Sequence, residues 1–153
     1  MIEKAESQFS DQIDIKYLHN LSQGNLQKTL SQLPENTLVL WAIYLRMPSG
    51  STITSKESVK LVSEASPYPT YCIWDVVGQG VLGGKITSPN FQGETAAKIA
   101  LKVLNGEPIE NIPVIGSPLV NIFDYEVLER FELSIEDVPP SSTIINQPTS
   151  LYE

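Results

Sequence analysis

The chain has 153 residues, 41% of them apolar, and a formal net charge of −8. That is enough for one domain with its own core, and the apolar fraction argues against disorder. The acidic balance repels phosphate backbones, which sets a nucleic-acid partner aside.

In chain order, residues 13–18 alternate apolar and polar at first and predict an edge or half-buried strand. A helix follows over about 22–33, with Leu26, Leu30 and Leu33 on one face and Pro34 as its stop. Residues 37–45 are a continuous apolar run, the pattern of a strand buried on both faces in a parallel sheet. After a loop at 47–51, Thr54 and Glu57 match a capping box that opens a helix to about residue 65, with Val59 and Val62 inward. Pro67 and Pro69 close that turn, and residues 70–74 predict a second buried strand ending at Asp75. Gly78, Gly80, Gly83 and Gly84 mark a flexible or tightly turned segment around a third apolar stretch at 81–86.

Ser88, with Pro89 behind it, predicts the start of a further helix. Its apolar face is Ala96, Ile99, Ala100, Val103 and Leu104, and Asn105 and Gly106 stop it. Residues 119–123 form another strand candidate, and Asp124 caps a short helix to about Phe131. The segment from 138 to 153 is rich in Pro, Ser and Thr and reads as an irregular tail. Buried strands alternating with helices predict an α/β fold, a Rossmann-like, mostly parallel sheet with flanking helices.

No run approaches the roughly 18 apolar residues that span a bilayer. The polar start, Met1-Ile2-Glu3-Lys4, does not resemble a signal peptide, so the chain is expected to be soluble and to carry no address of its own. A segment of a secreted or membrane protein would look the same.

Ligands of such folds bind at the carboxyl ends of the strands. Arg46 follows one predicted strand, where a guanidinium either pairs with a carboxylate or phosphate in a cleft or is a solvated loop residue. Trp74 and Asp75 end the next; ring and carboxylate together suit an amine-bearing solute, or else form a core tryptophan and a turn cap. The letters from Gly78 to Gly83 match Gly-x-Gly-x-x-Gly but sit in a link, where a chain reversal or hinge competes with a phosphate loop. The single cysteine, Cys72, lies in a predicted buried strand, where an inert core thiol is expected, and the single histidine, His19, is expected at the surface. They offer no disulfide, no Cys/His zinc site and no catalytic triad, so no cofactor is expected.

The order of these features resembles the ABC-transporter substrate-binding protein family with the type I periplasmic-binding-protein fold. More narrowly, it resembles the version fused to membrane histidine kinases and diguanylate cyclases as a sensor region. The likeness rests on Ser66-Pro67-Tyr68-Pro69, Trp74-Asp75, Gly80-Val81-Leu82-Gly83-Gly84, Leu104-Asn105-Gly106-Glu107-Pro108, Phe123-Asp124-Tyr125 and Pro139-Pro140-Ser141, and runs from about residue 12 to the end.

The resemblance implies two lobes closing on a solute, of which this chain holds part. Residues 1–137 would be a partial domain, with 78–116 crossing to the other lobe and 138–153 leading toward a membrane helix. Tyr44, Arg46, Trp74, Asp75 and Gln79 would face the cleft, and Gly78, Gly80, Gly83 and Gly84 would form the hinge. The lobe's first strand is absent from the pattern, so an incomplete sheet with an exposed central edge is expected, with the other lobe or a second copy of the chain as partner.

The expected function is extracytoplasmic sensing of a small solute, possible amino acids among them, by a non-enzymatic module tied to a membrane-anchored output domain. Alternatives are the solute-binding component of an ABC transporter and a small α/β enzyme acting on a phosphorylated substrate.

Overall fold

The computed structural model describes residues 13–149. The polar N-terminus and the final residues Leu151, Tyr152 and Glu153 lie outside that range. Helix α1 (Gln23–Ser31) starts at Ser22, whose hydroxyl accepts from the Asn25 backbone N–H. Strand β1 (Val39–Trp41) and helix α2 (Ser55–Ala65) follow. Thr54 and Glu57 form the reciprocal capping box that their spacing predicts. Strands β2 (Thr70–Cys72) and β3 (Gly83–Thr87) lead into helix α3 (Pro89–Leu104). Strand β4 (Leu119–Asp124), helix α4 (Tyr125–Arg130) and strand β5 (Thr143–Ile145) complete the fold.

The five strands lie in the order β1-β2-β3-β4-β5. All neighbours run parallel except β3 and β4, which are antiparallel. This is the mostly parallel α/β sheet that the sequence predicts. The antiparallel pair follows from the chain's path: residues 88–118 leave the sheet after β3 and return at the same end, with Thr87 opposite Leu119.

One face of the sheet holds the main core. Leu26 and Leu30 of α1 and Val59, Leu61 and Val62 of α2 pack with Trp41, Cys72, Val81 and Ile86. The Trp41 indole N–H donates to the buried Ser58 hydroxyl at 3.0 Å, so the ring is buried without an orphaned donor. On the other face a smaller cluster joins Leu82, Phe123, Val127 and Leu128, with Ile144 packed against it.

Gly83 and Gly84 lie inside β3, which corrects their reading as part of a flexible turned segment. A Cβ on Gly83 would overlap the Ile122 carbonyl oxygen and lie 2.8 Å from the Phe123 Cα; one on Gly84 would lie 2.6 Å from the Cys72 carbonyl oxygen. Both glycines let neighbouring strands approach where a side chain would stand. Tyr71 pairs with Gly83 but Trp74 bridges to Thr87, so β3 carries one more residue than β2 between those points, as in a bulge.

Four further expectations change. Residues 13–18 form no strand, and Ile13, Tyr17 and Leu18 are exposed: alternation alone supplies no partner strand. The run at 37–45 is buried on one face only, with Leu38 62% and Leu40 55% exposed. The tail is not irregular throughout. Its short Thr143-Ile144-Ile145 run pairs with β4, and Asn146 donates from its amide to Asp124 at 3.1 Å. Helix α3 starts where Ser88 and Pro89 predict, yet it has no buried residue, so its apolar face is not turned into the core. β1 pairs directly with β2, so no central edge is left exposed, and the sheet ends at the outer edges of β1 and β5.

Candidate functional site

The carboxyl ends of β1, β2 and β3 lie together at one edge of the sheet. Trp74, just past β2, bridges to Thr87 at the end of β3. Its indole N–H donates to the Ala42 carbonyl, just past β1, at 2.7 Å. That bond fixes the ring while leaving Trp74 46% exposed. The adjacent Asp75 is exposed, and one carboxylate oxygen accepts from the Ser88 hydroxyl at 3.0 Å. Ser88 stands at the N-cap of α3 but makes no side-chain capping bond; its hydroxyl instead donates to Asp75.

An exposed aromatic ring and an exposed carboxylate on consecutive residues are thus each tied to a neighbouring strand end. They complement a cationic amine through the ring's π-face and an ion pair. Ser88 is the member that sequence reasoning missed. Its signal was its place directly after a strand, masked by the equally good signal for a helix cap.

The other predicted ligand residues do not join this pair. Tyr44 turns inward: its hydroxyl donates to the Leu21 carbonyl at 3.0 Å and its ring packs on the main core, which makes it a brace. Arg46 is exposed in a hairpin whose backbone bridges to Thr52, and its guanidinium makes no ion pair among the described residues.

Gln79 belongs to the opposite end of the sheet. Its carbonyl accepts from Ser63 near the end of α2, and the next strand begins beside the start of β2, where Leu82 N–H donates to Thr70. Gly78 and Gly80 share that turn. The Gly-x-Gly-x-x-Gly letters therefore run into a strand and open no helix, so they lack the helix N-terminus that a phosphate loop uses.

Burial raises the Cys72 thiol to about 11, which leaves it protonated and unreactive at neutral pH. His19 is exposed. Among the described residues no group of three or more His, Cys, Asp or Glu stands together as metal ligands, and no helix is long and apolar enough to cross a membrane.

Two concavities lie elsewhere. One of about 460 Å³ is an open, polar groove along α1 and α2, edged by Gln23, Gln27, Glu57 and Lys60. The other, about 230 Å³ and mainly apolar, lies between Tyr71, Leu82, Phe123 and Leu128 on one side and Val138 and Pro139 on the other. Neither includes Trp74 or Asp75, which stand on open surface. No known protein family, curated protein or solved structure matches the chain.

Proposed function

We propose that the chain is a small-solute-binding module of the sensor type, taking an amine-bearing solute such as an amino acid at the carboxyl edge of its parallel strands. The observation that carries this reading is the exposed Trp74 ring and the exposed carboxylate of the next residue, Asp75, each fixed by a hydrogen bond to a neighbouring strand end. In open α/β sheets that edge is where ligands bind.

Binding is favoured over turnover because the buried, protonated Cys72 and the lone, exposed His19 offer no activated nucleophile. A single wall gives weak affinity, since most of the contact with a small ligand comes from enclosure. The module would therefore work against a second wall, as in the two-lobed family it resembles. On that likeness its place is extracytoplasmic, within a membrane-anchored signalling protein.

A fluorescence titration tests the reading. Trp41 is buried and Trp74 exposed, so a solute at the edge changes the emission of one ring. Millimolar amino acids and simple alkylamines are expected to change it saturably, while dicarboxylates leave it flat. Asp75→Asn is expected to weaken the response at least tenfold, the loss of one charge-assisted contact. Equal responses from wild type and Asp75→Asn, or none from either at saturating amine, would remove the amine-site reading.

A further inference from the structure

We propose that Asn105, in the cap that ends α3, is a site of spontaneous deamidation whose isoaspartate product undoes that cap. Asn105 is the one asparagine of the chain followed by glycine; the others precede Leu, Thr, Phe, Ile or Gln. The reaction joins the side-chain carbonyl carbon of an asparagine to the next backbone nitrogen, and a glycine there puts no side chain in the way. Asn105 and Gly106 are both exposed, and the Asn105 carboxamide makes no hydrogen bond among the described residues.

The same two residues close the helix. Gly106 has φ +86°, and its N–H donates to the Val103 carbonyl at 3.0 Å, while the Glu107 N–H donates to the Lys102 carbonyl at 3.0 Å. This pair of bonds around a left-handed glycine is a Schellman cap. It slows the reaction, because the Gly106 nitrogen must lose its proton and turn toward the Asn105 side chain, and here its N–H is occupied. Little else holds the cap. No residue of α3 is buried, and across the turn Lys102 and Glu107 form a surface ion pair at 3.8 Å. A helix end without buried contacts opens at low free-energy cost, so local fraying releases the nitrogen without global unfolding.

In the first step the Gly106 nitrogen, deprotonated by hydroxide, attacks the Asn105 side-chain carbonyl carbon. A C–N bond forms, the bond to the carboxamide nitrogen breaks, and that nitrogen leaves as ammonia with a proton from water. Water then opens the resulting succinimide at one of its two carbonyls, and nothing is oxidised or reduced. One opening gives aspartate. The other gives isoaspartate, whose main chain runs through Cβ and is longer by a methylene. That added atom breaks the spacing of the two capping bonds. Both products also place a carboxylate at the helix C-terminus, the end where the macrodipole disfavours negative charge. Ser88, which holds Asp75, stands at the start of α3, so the modified residue lies at the other end of the helix from the strand-end pair.

Peptide mapping by mass spectrometry tests this on the full chain, kept folded for days in warm, mildly alkaline buffer. The peptide containing Asn105 is expected to gain the mass difference between NH2 and OH and to split into an aspartate and an isoaspartate form, before any other asparagine peptide changes. Amide hydrogen exchange of the isoaspartate form is expected to show lost protection at Gly106 and Glu107. Asn105→Gln alters an exposed side chain and is expected to abolish the gain while leaving the melting midpoint near wild type. The same incubation in urea is expected to speed conversion at Asn105, since no cap then ties the Gly106 N–H. An Asn105 peptide that stays unchanged in the folded chain overturns the proposal, and so does conversion that comes first at another asparagine. An isoaspartate form that keeps its protection at Gly106 and Glu107 overturns the loss of the cap.

Discussion

On the face of the sheet under α1 and α2, Val39 and Trp41 meet Leu30, Val59 and Val62, and most of the packing residues are at most 5% exposed. On the opposite face the same three-residue strand sends Leu40 into solvent, and cover exists only toward β4 and β5, where α4 and Val138 close over Leu82 and Phe123. Strand formation by an apolar run and burial of both its faces are therefore separate events. The first follows from local composition, while the second needs an element to lie over each face. Residues 37–45 have the composition for two-sided burial, but the structure supplies cover for one side.

The comparison breaks most severely where the sheet has no slack. Gly83→Val places a branched side chain on the Ile122 carbonyl in the paired β3–β4 ladder. The expected outcome is loss of the cooperative thermal transition monitored by circular dichroism, since one strand must move away from the other. A normal melt for this variant would mean that β3 and β4 do not pair in this register.

A matched pair of substitutions then sharpens the contrast between the two faces. Leu30→Ala removes a side chain that is 1% exposed and leaves a cavity, with an expected loss of about 2–5 kcal/mol in urea unfolding. Leu40→Ala trims an exposed side chain of the same type and is expected to change the stability of the monomer by no more than about 0.5 kcal/mol. If Leu40→Ala cost as much as Leu30→Ala at a dilution where only monomer is present, the bare face would have to be covered within the chain.

Much of the local architecture was legible because it is written in short-range chemistry. The Thr54 and Glu57 pair and Asp124 mark helix starts within a few residues of the groups they satisfy, and Pro89 marks one by its fixed backbone angle. What could not be read depends on distant partners. The alternation at 13–18 has no strand beside it, while Thr143-Ile144-Ile145 becomes a strand because β4 offers an edge and Asp124 accepts from Asn146.

The site divides in the same way. Trp74 and Asp75 were readable from their place at a strand end, but Tyr44 turns inward because the Leu21 carbonyl accepts its hydroxyl. Gln79 is at the far end because the link from β2 crosses the sheet before β3 begins. Local sequence carries neither fact.

The smallest expected effect isolates a purely local device on the covered side. Thr54→Ala removes the hydroxyl that accepts from the Glu57 backbone N–H, an expected cost of about 1 kcal/mol. The charge on Glu57 gives this box a pH signature. Hydrogen bonds from the Thr54 hydroxyl and the Thr54 backbone N–H hold the carboxyl below its ordinary value of 4.5. A carboxyl with a lowered folded-state value contributes stability that is fully present above its unfolded value. That contribution is lost as pH falls through the folded one. The difference in melting midpoint between wild type and Glu57→Gln is therefore expected to be constant from neutral pH down to about 5, and to shrink on further acidification. Glutamine keeps the shape of the box without the charge. A difference that stays constant into strong acid would show that geometry alone carries the cap, and one that shrinks would assign the remainder to the ionised form of Glu57.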